Sequence, residues 1–98
     1  MIRGTTPIHV FTTSISLVDA EAVDVTYKQG VVIVEKHKAD CDITPETLTV
    51  ELTQEETFKF KTYGYKAEVQ ITAEIGGKVL KSNISNVDVS RSLKEGAI

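Results

Sequence analysis

An all-β chain is predicted: an antiparallel immunoglobulin-like β-sandwich of about seven short strands with one short helical turn. Three observations predict it. First, residues 67–75 alternate without a break, Ala67, Val69, Ile71, Ala73 and Ile75 on one face and Glu68, Gln70, Thr72 and Glu74 on the other, which is the period of a half-buried strand. Second, short apolar runs are separated by turn signals at Gln29-Gly30, Thr44-Pro45-Glu46 and Gly76-Gly77, the spacing expected of a two-sheet antiparallel domain. Third, the chain carries neither a long helical period nor an internal repeat.

Each element follows in order. Ile8 to Thr13 is rich in β-branched residues, and Pro7 stands where a missing donor does least harm, so this is an edge strand. Ala22 to Lys28 turns Val23, Val25 and Tyr27 inward, and Gln29-Gly30 folds it back into Val31-Val32-Ile33-Val34. Four consecutive apolar residues leave open whether Val31 and Ile33 or Val32 and Val34 face the core. After the Thr44-Pro45-Glu46 turn, Leu48, Val50 and Leu52 alternate with Thr47, Thr49 and Glu51. Thr53-Gln54-Glu55-Glu56 has the capping-box form that opens a helical turn. Residues 67–75 form the central strand, Lys78 to Lys81 its hairpin partner across Gly76-Gly77, and Ser85 to Ser90 the last strand. Tyr65, two residues before Ala67, is a candidate corner tyrosine of such domains, with Tyr63 competing for the role.

Composition bounds the rest. Ninety-eight residues make one domain, 1–98, with 92–98 read as a frayed tail. With no Trp and six aromatics the core is aliphatic. A lone cysteine, Cys41, excludes an intrachain disulfide and suits a reducing compartment. No signal-peptide-like run and no membrane-spanning segment is present in the sequence, so the expected location is the cytoplasm. The net charge of −3 gives no basic field for nucleic acid.

The chemistry-bearing clusters are sparse. Phe58 to Lys66 interleaves four aromatics with lysines, and Phe60, Tyr63 and Tyr65 could form a glycan-contacting rim; the competing reading buries Phe58 and Phe60 at the end of the sandwich. His37, Asp40, Cys41 and Asp42 are near in sequence but lack the paired spacing of a structural zinc site, so no metal is expected. There is no Gly-x-Ser-x-Gly elbow, His9 and His37 are the sole imidazoles, and Glu55 and Glu56 are adjacent rather than facing. A non-enzymatic protein without a cofactor is expected. From Ile8 to Ser16 the chain has no charged residue. Ile8, Val10 and Thr12 are therefore the predicted interface, on an edge open to strand addition, with the C-terminal strand as the other candidate edge; the competing reading places the Ile8 to Thr13 segment inside the sheet.

Met1-Ile2-Arg3-Gly4-Thr5-Thr6-Pro7 with His9 and Phe11, Leu52-Thr53-Gln54-Glu55-Glu56-Thr57, and the Ser82-x-Ile84-x-x-Val87-x-Val89 ending resemble a group of small prophage-encoded proteins found among virion structural and morphogenesis genes of Gram-positive bacteria. The likeness covers nearly the whole chain, leaving out Ser14 to Ala20 and the aromatic-lysine stretch. At the level of architecture the chain also resembles sandwich domains of phage tails and baseplates. The resemblance implies a virion or assembly component, made in the host cytoplasm and then carried in the particle. It would act by self-association or by docking on a larger phage protein. A tail-associated carbohydrate-binding module using the Phe60, Tyr63 and Tyr65 rim is the competing expectation.

Overall fold

The computed structural model describes residues 1–62 and 66–90. In chain order it forms β1 (Ile8–Thr12), β2 (Ala22–Gln29), β3 (Val32–His37), a 3-10 turn (Lys38–Asp40), β4 (Cys41–Ile43), β5 (Thr47–Glu51), α1 (Gln54–Phe58), β6 (Ala67–Ile75), β7 (Lys78–Lys81) and β8 (Ser85–Val87). The strands make two antiparallel sheets. One has the order β1-β5-β4; the other has the order β3-β2-β6-β7, with β8 also paired to β6. Leu48 and Val50 of the smaller sheet and Val23, Val25, Tyr27, Val34, Ala67, Val69 and Ala73 of the larger one belong to a single buried cluster. The two sheets thus share one core.

The strand β6 is central as expected, with β2 on one side and β7 and β8 on the other. Its middle residue Ile71 is half-buried and packs against the core rather than lying within it. The β6–β7 hairpin turns at Gly76 and Gly77, with φ of 57° and 78°, values an L-residue with a side chain rarely adopts.

The open register of the third strand is settled by the β2–β3 hairpin. Tyr27 pairs with Val34 and Gln29 with Val32, and directly opposed residues share a face. Val32 and Val34 therefore face the core, while Val31, 96% exposed, occupies the hairpin tip. The same parity turns Lys36, opposite the buried Val25, inward.

One strand is additional to those expected. Cys41–Ile43 is too short to show a period, yet it pairs with β5 across Thr44-Pro45-Glu46. Thr44 ties that turn: its hydroxyl accepts the Thr47 N–H at 3.0 Å and lies 2.6 Å from the Thr47 hydroxyl. The last strand is interrupted. Lys81 pairs with Thr72 and Ser85 with Val69, so three residues on one strand face two on β6, a β-bulge. Ser82 bridges it, its hydroxyl accepting the Ile71 N–H at 2.9 Å and its N–H donating to the Ile71 carbonyl at 2.9 Å.

The predicted capping box forms. The Thr53 hydroxyl accepts the Glu56 N–H at 3.1 Å, and Glu56 Oε1 accepts the Thr53 N–H at 2.8 Å. The segment before β1 closes over this turn. Arg3 Nε donates to the carbonyls of Phe58 and Phe60, and the Gly4 N–H donates to the buried Thr57 hydroxyl at 2.9 Å. The Thr57 hydroxyl lies 3.0 Å from the Thr5 carbonyl and Gln54 Nε2 donates to the Gly4 carbonyl at 2.9 Å. Residues 2–5 and 53–57 thus interlock.

Candidate functional site: the open edge of the first strand

Strand β1 ends its sheet, paired with β5 alone among the described strands. Its pairing decides which of its atoms face outward. Thr13 donates its N–H to the Glu46 carbonyl at 2.8 Å, and Leu52 donates to the Pro7 carbonyl at 3.0 Å. The hydrogen-bonded pairs with β5 therefore fall at positions 7 to 13 in steps of two, and the intervening residues turn their N–H and C=O away from β5. Those residues are Ile8, Val10 and Thr12. Their side chains are also exposed, 61% for Ile8 and 63% for Val10. The edge thus joins three free N–H and C=O pairs to an uncharged, partly aliphatic surface, with Pro7 guarding its entrance alone.

The opposite side of β1 holds the strand to the core. His9 and Phe11 are half-buried, and His9 Nδ1 lies 2.6 Å from the hydroxyl of Tyr27 on the other sheet. The rings of His9 and Tyr27 are 5.6 Å apart, and Tyr27 meets Phe60 edge-on at 6.5 Å. Burial lowers the His9 pKa from its ordinary 6.5. Burial, followed by the charges of Cys41 and Glu56, pushes the Tyr27 phenol up. Tyr27 consequently stays protonated and His9 neutral, and the His9 tautomer sets which of the two donates.

The glycan-rim expectation needs correction at Phe60. That ring is 1% exposed and part of the core, because it fills the space beside Tyr27 in an interior poor in large side chains. Tyr63 and Tyr65, including the corner position, lie outside the described residues. The residues His37, Asp40, Cys41 and Asp42 do not converge. His37 Nδ1 contacts Asp24 at 2.6 Å, the Asp40 carboxylate accepts the His37 N–H at 2.9 Å, and Asp42 is exposed on β4. Among the described residues no group of three or more His, Cys, Asp or Glu is placed to hold a metal ion. Cys41 is half-buried and its pKa is raised, first by burial, the opposite of an activated thiol. Among the described residues no helix is long and apolar enough to cross a membrane.

Three arrangements escaped sequence reasoning. Gln29 clamps Lys61, donating from Nε2 to its carbonyl at 2.8 Å and accepting its N–H at Oε1 at 2.5 Å. Its inward position in β2 was the available signal. Lys36 Nζ reaches Glu56 Oε1 at 2.8 Å, which the hairpin register alone reveals. The Gly4–Thr57 contact joins two segments 53 residues apart and has no local signature. No family model, curated protein or solved structure matches the chain.

Proposed function

We propose that this protein is a non-enzymatic assembly component that associates through the β1 edge, with itself or with a larger structural protein. A place among phage virion or morphogenesis proteins is the setting that the resemblance of its opening and 52–57 segments suggests. The observation that carries the reading is the coincidence, on Ile8, Val10 and Thr12, of outward backbone groups and exposed uncharged side chains. A solitary protein ordinarily blunts such an edge with charge or a bulge. An immunoglobulin-like sandwich is supported by the sheet orders β1-β5-β4 and β3-β2-β6-β7, which are compatible with that fold counted from its second strand, with the helical turn before β6. In that frame β1 is exposed because a full-length first strand is not paired beside it among the described residues.

Light scattering over a concentration series tests the reading, with Val10→Lys as the comparison. Association that weakens on introducing the charge supports it. A strictly monomeric protein that is also indifferent to Val10→Lys in binding purified virion structural proteins would defeat it.

A further inference from the structure

We propose that the occupant of the β1 edge is an extended segment of another polypeptide. It inserts as a single added strand between β1 and β7 and seats one apolar side chain in the cavity at the C-terminal end of β1. The inference rests on the edge reading above and specifies its partner.

Two independent features meet at this place. The first is the row of outward N–H and C=O groups on Ile8, Val10 and Thr12, which an extended backbone satisfies in alternation. The second is a cavity of about 180 Å³ whose walls include Thr13, Ile15, Leu17, Ile71, Ala73 and Leu80. Thr13, one of the lining residues, carries a hydroxyl that is buried without a hydrogen-bond partner, which is costly to the fold. Leu80 lies opposite Ala73 and so on the core side of β7, yet it is 40% exposed. The core side of β7 is therefore left partly uncovered where it lines the cavity.

The size of the opening selects the occupant. Small-molecule sites run to roughly 300–1,000 Å³, whereas about 150 Å³ is filled by one benzene-sized apolar group. This cavity suits one side chain. A strand added to β1 would run about 4.8 Å from it, on the side of the cavity lined by Ile71 and Leu80. A second folded copy pairing through its own β1 would offer a strand but no free side chain for a cavity that lies past the end of β1, whereas an extended segment longer than β1 supplies both. The fitting segment is apolar at alternate positions on its inward side.

The test uses the full chain and a displayed library of nine-residue peptides with aliphatic residues fixed at alternate positions. The tightest selected peptide is then titrated against variants while amide exchange is followed by NMR. Binding should slow exchange at Ile8, Val10 and Thr12. Val10→Pro removes just an outward donor, and Leu80→Ser alters an exposed wall; each should weaken binding at least tenfold. Failure to select any saturable peptide overturns the proposal. So does slow exchange of those three amides in the peptide-free monomer, or slowing that depends on protein concentration alone. If Val10→Lys abolishes association while Leu80→Ser leaves peptide binding unchanged, the edge reading stands and the seating of a side chain in the cavity is refuted.

Discussion

Lys36 Nζ lies 2.8 Å from Glu56 Oε1, joining the core side of β3 to the carboxylate that caps α1, with 11% of the Lys36 side chain and 19% of that of Glu56 left exposed. One carboxylate thus serves two partners, the Lys36 ammonium and the Thr53 amide. Burial by itself would raise the Glu56 pKa. The hydrogen bonds from Lys36 and Thr53 and the Lys36 charge outweigh it and hold the carboxyl below its ordinary value of 4.5.

Removing one member of this pair should hurt more than removing both. Lys36→Met leaves a mostly buried carboxylate and should cost about 3 kcal/mol, the low end for a buried pair because water still reaches part of it. Adding Glu56→Gln keeps a capping-box side chain without the charge and should recover most of the loss. Urea denaturation of the four-member cycle measures this. A coupling below about 0.5 kcal/mol would place the pair among ordinary surface ion pairs.

The cap itself can be tested separately. Thr53→Ala deletes the hydroxyl that accepts the Glu56 N–H and should destabilise by about 0.5–2 kcal/mol. Thr53→Ser should retain most of the stability, which chemical denaturation of the two variants would establish.

Gly4 has φ of +83°, and a Cβ there would lie 2.8 Å from the Phe58 ring. Gly4→Ala therefore meets both a left-handed backbone and a clash, in a loop already tied to Thr57 and Gln54. A loss of about 1–3 kcal/mol is expected, read as a lowered Tm. A substitution without effect would show that residues 2–5 do not lock the helical turn.

Legibility followed the range of the interaction. The alternation of 67–75 and the capping box are local, and sequence pattern reports them directly. Val32 and Val34 could not be distinguished from Val31 and Ile33, because that choice depends on where the β2–β3 hairpin turns. Placing the loop at Gly30-Val31 settles it and carries Lys36 inward as a consequence. Cys41–Ile43 was missed because three residues span too little of a period. The interlock of Gly4 with Thr57 was invisible for a different reason: each segment looks like an ordinary turn, and their meeting depends on the whole chain. The charge-free run of β1 was legible, but it suited an edge and an interior strand alike, and the cavity was not legible, since Ile71 and Leu80 reach it from distant strands.

The His9–Tyr27 contact predicts how acid acts on β1. His9 Nδ1 and the Tyr27 hydroxyl lie 2.6 Å apart; protonating His9 makes that nitrogen a donor, which the phenol oxygen can accept by rotating its hydrogen away, so the cost of acid is the burial of the imidazolium charge. Because the folded pKa of His9 lies below its unfolded value of 6.5, the contribution is fully present above about pH 6.5. It is lost as pH falls through the folded value. Glu56 acts in the same sense but lower, below about pH 4.5. His37 acts oppositely: its hydrogen bond with Asp24 raises its pKa, so its contribution is present at low pH and lost as pH rises through that raised value. Comparing stability against pH for the parent and His9→Gln isolates the first effect, since His37 and Glu56 are common to both. The parent should lose more stability than the variant between about pH 6.5 and 4.5, and amide exchange at His9 and Phe11 should accelerate over the same interval. Parallel curves in that window would mean that His9 does not anchor β1 through Tyr27. Tyr27→Phe should remove the anchor at all pH values, at a cost of about 1–3 kcal/mol for the orphaned imidazole.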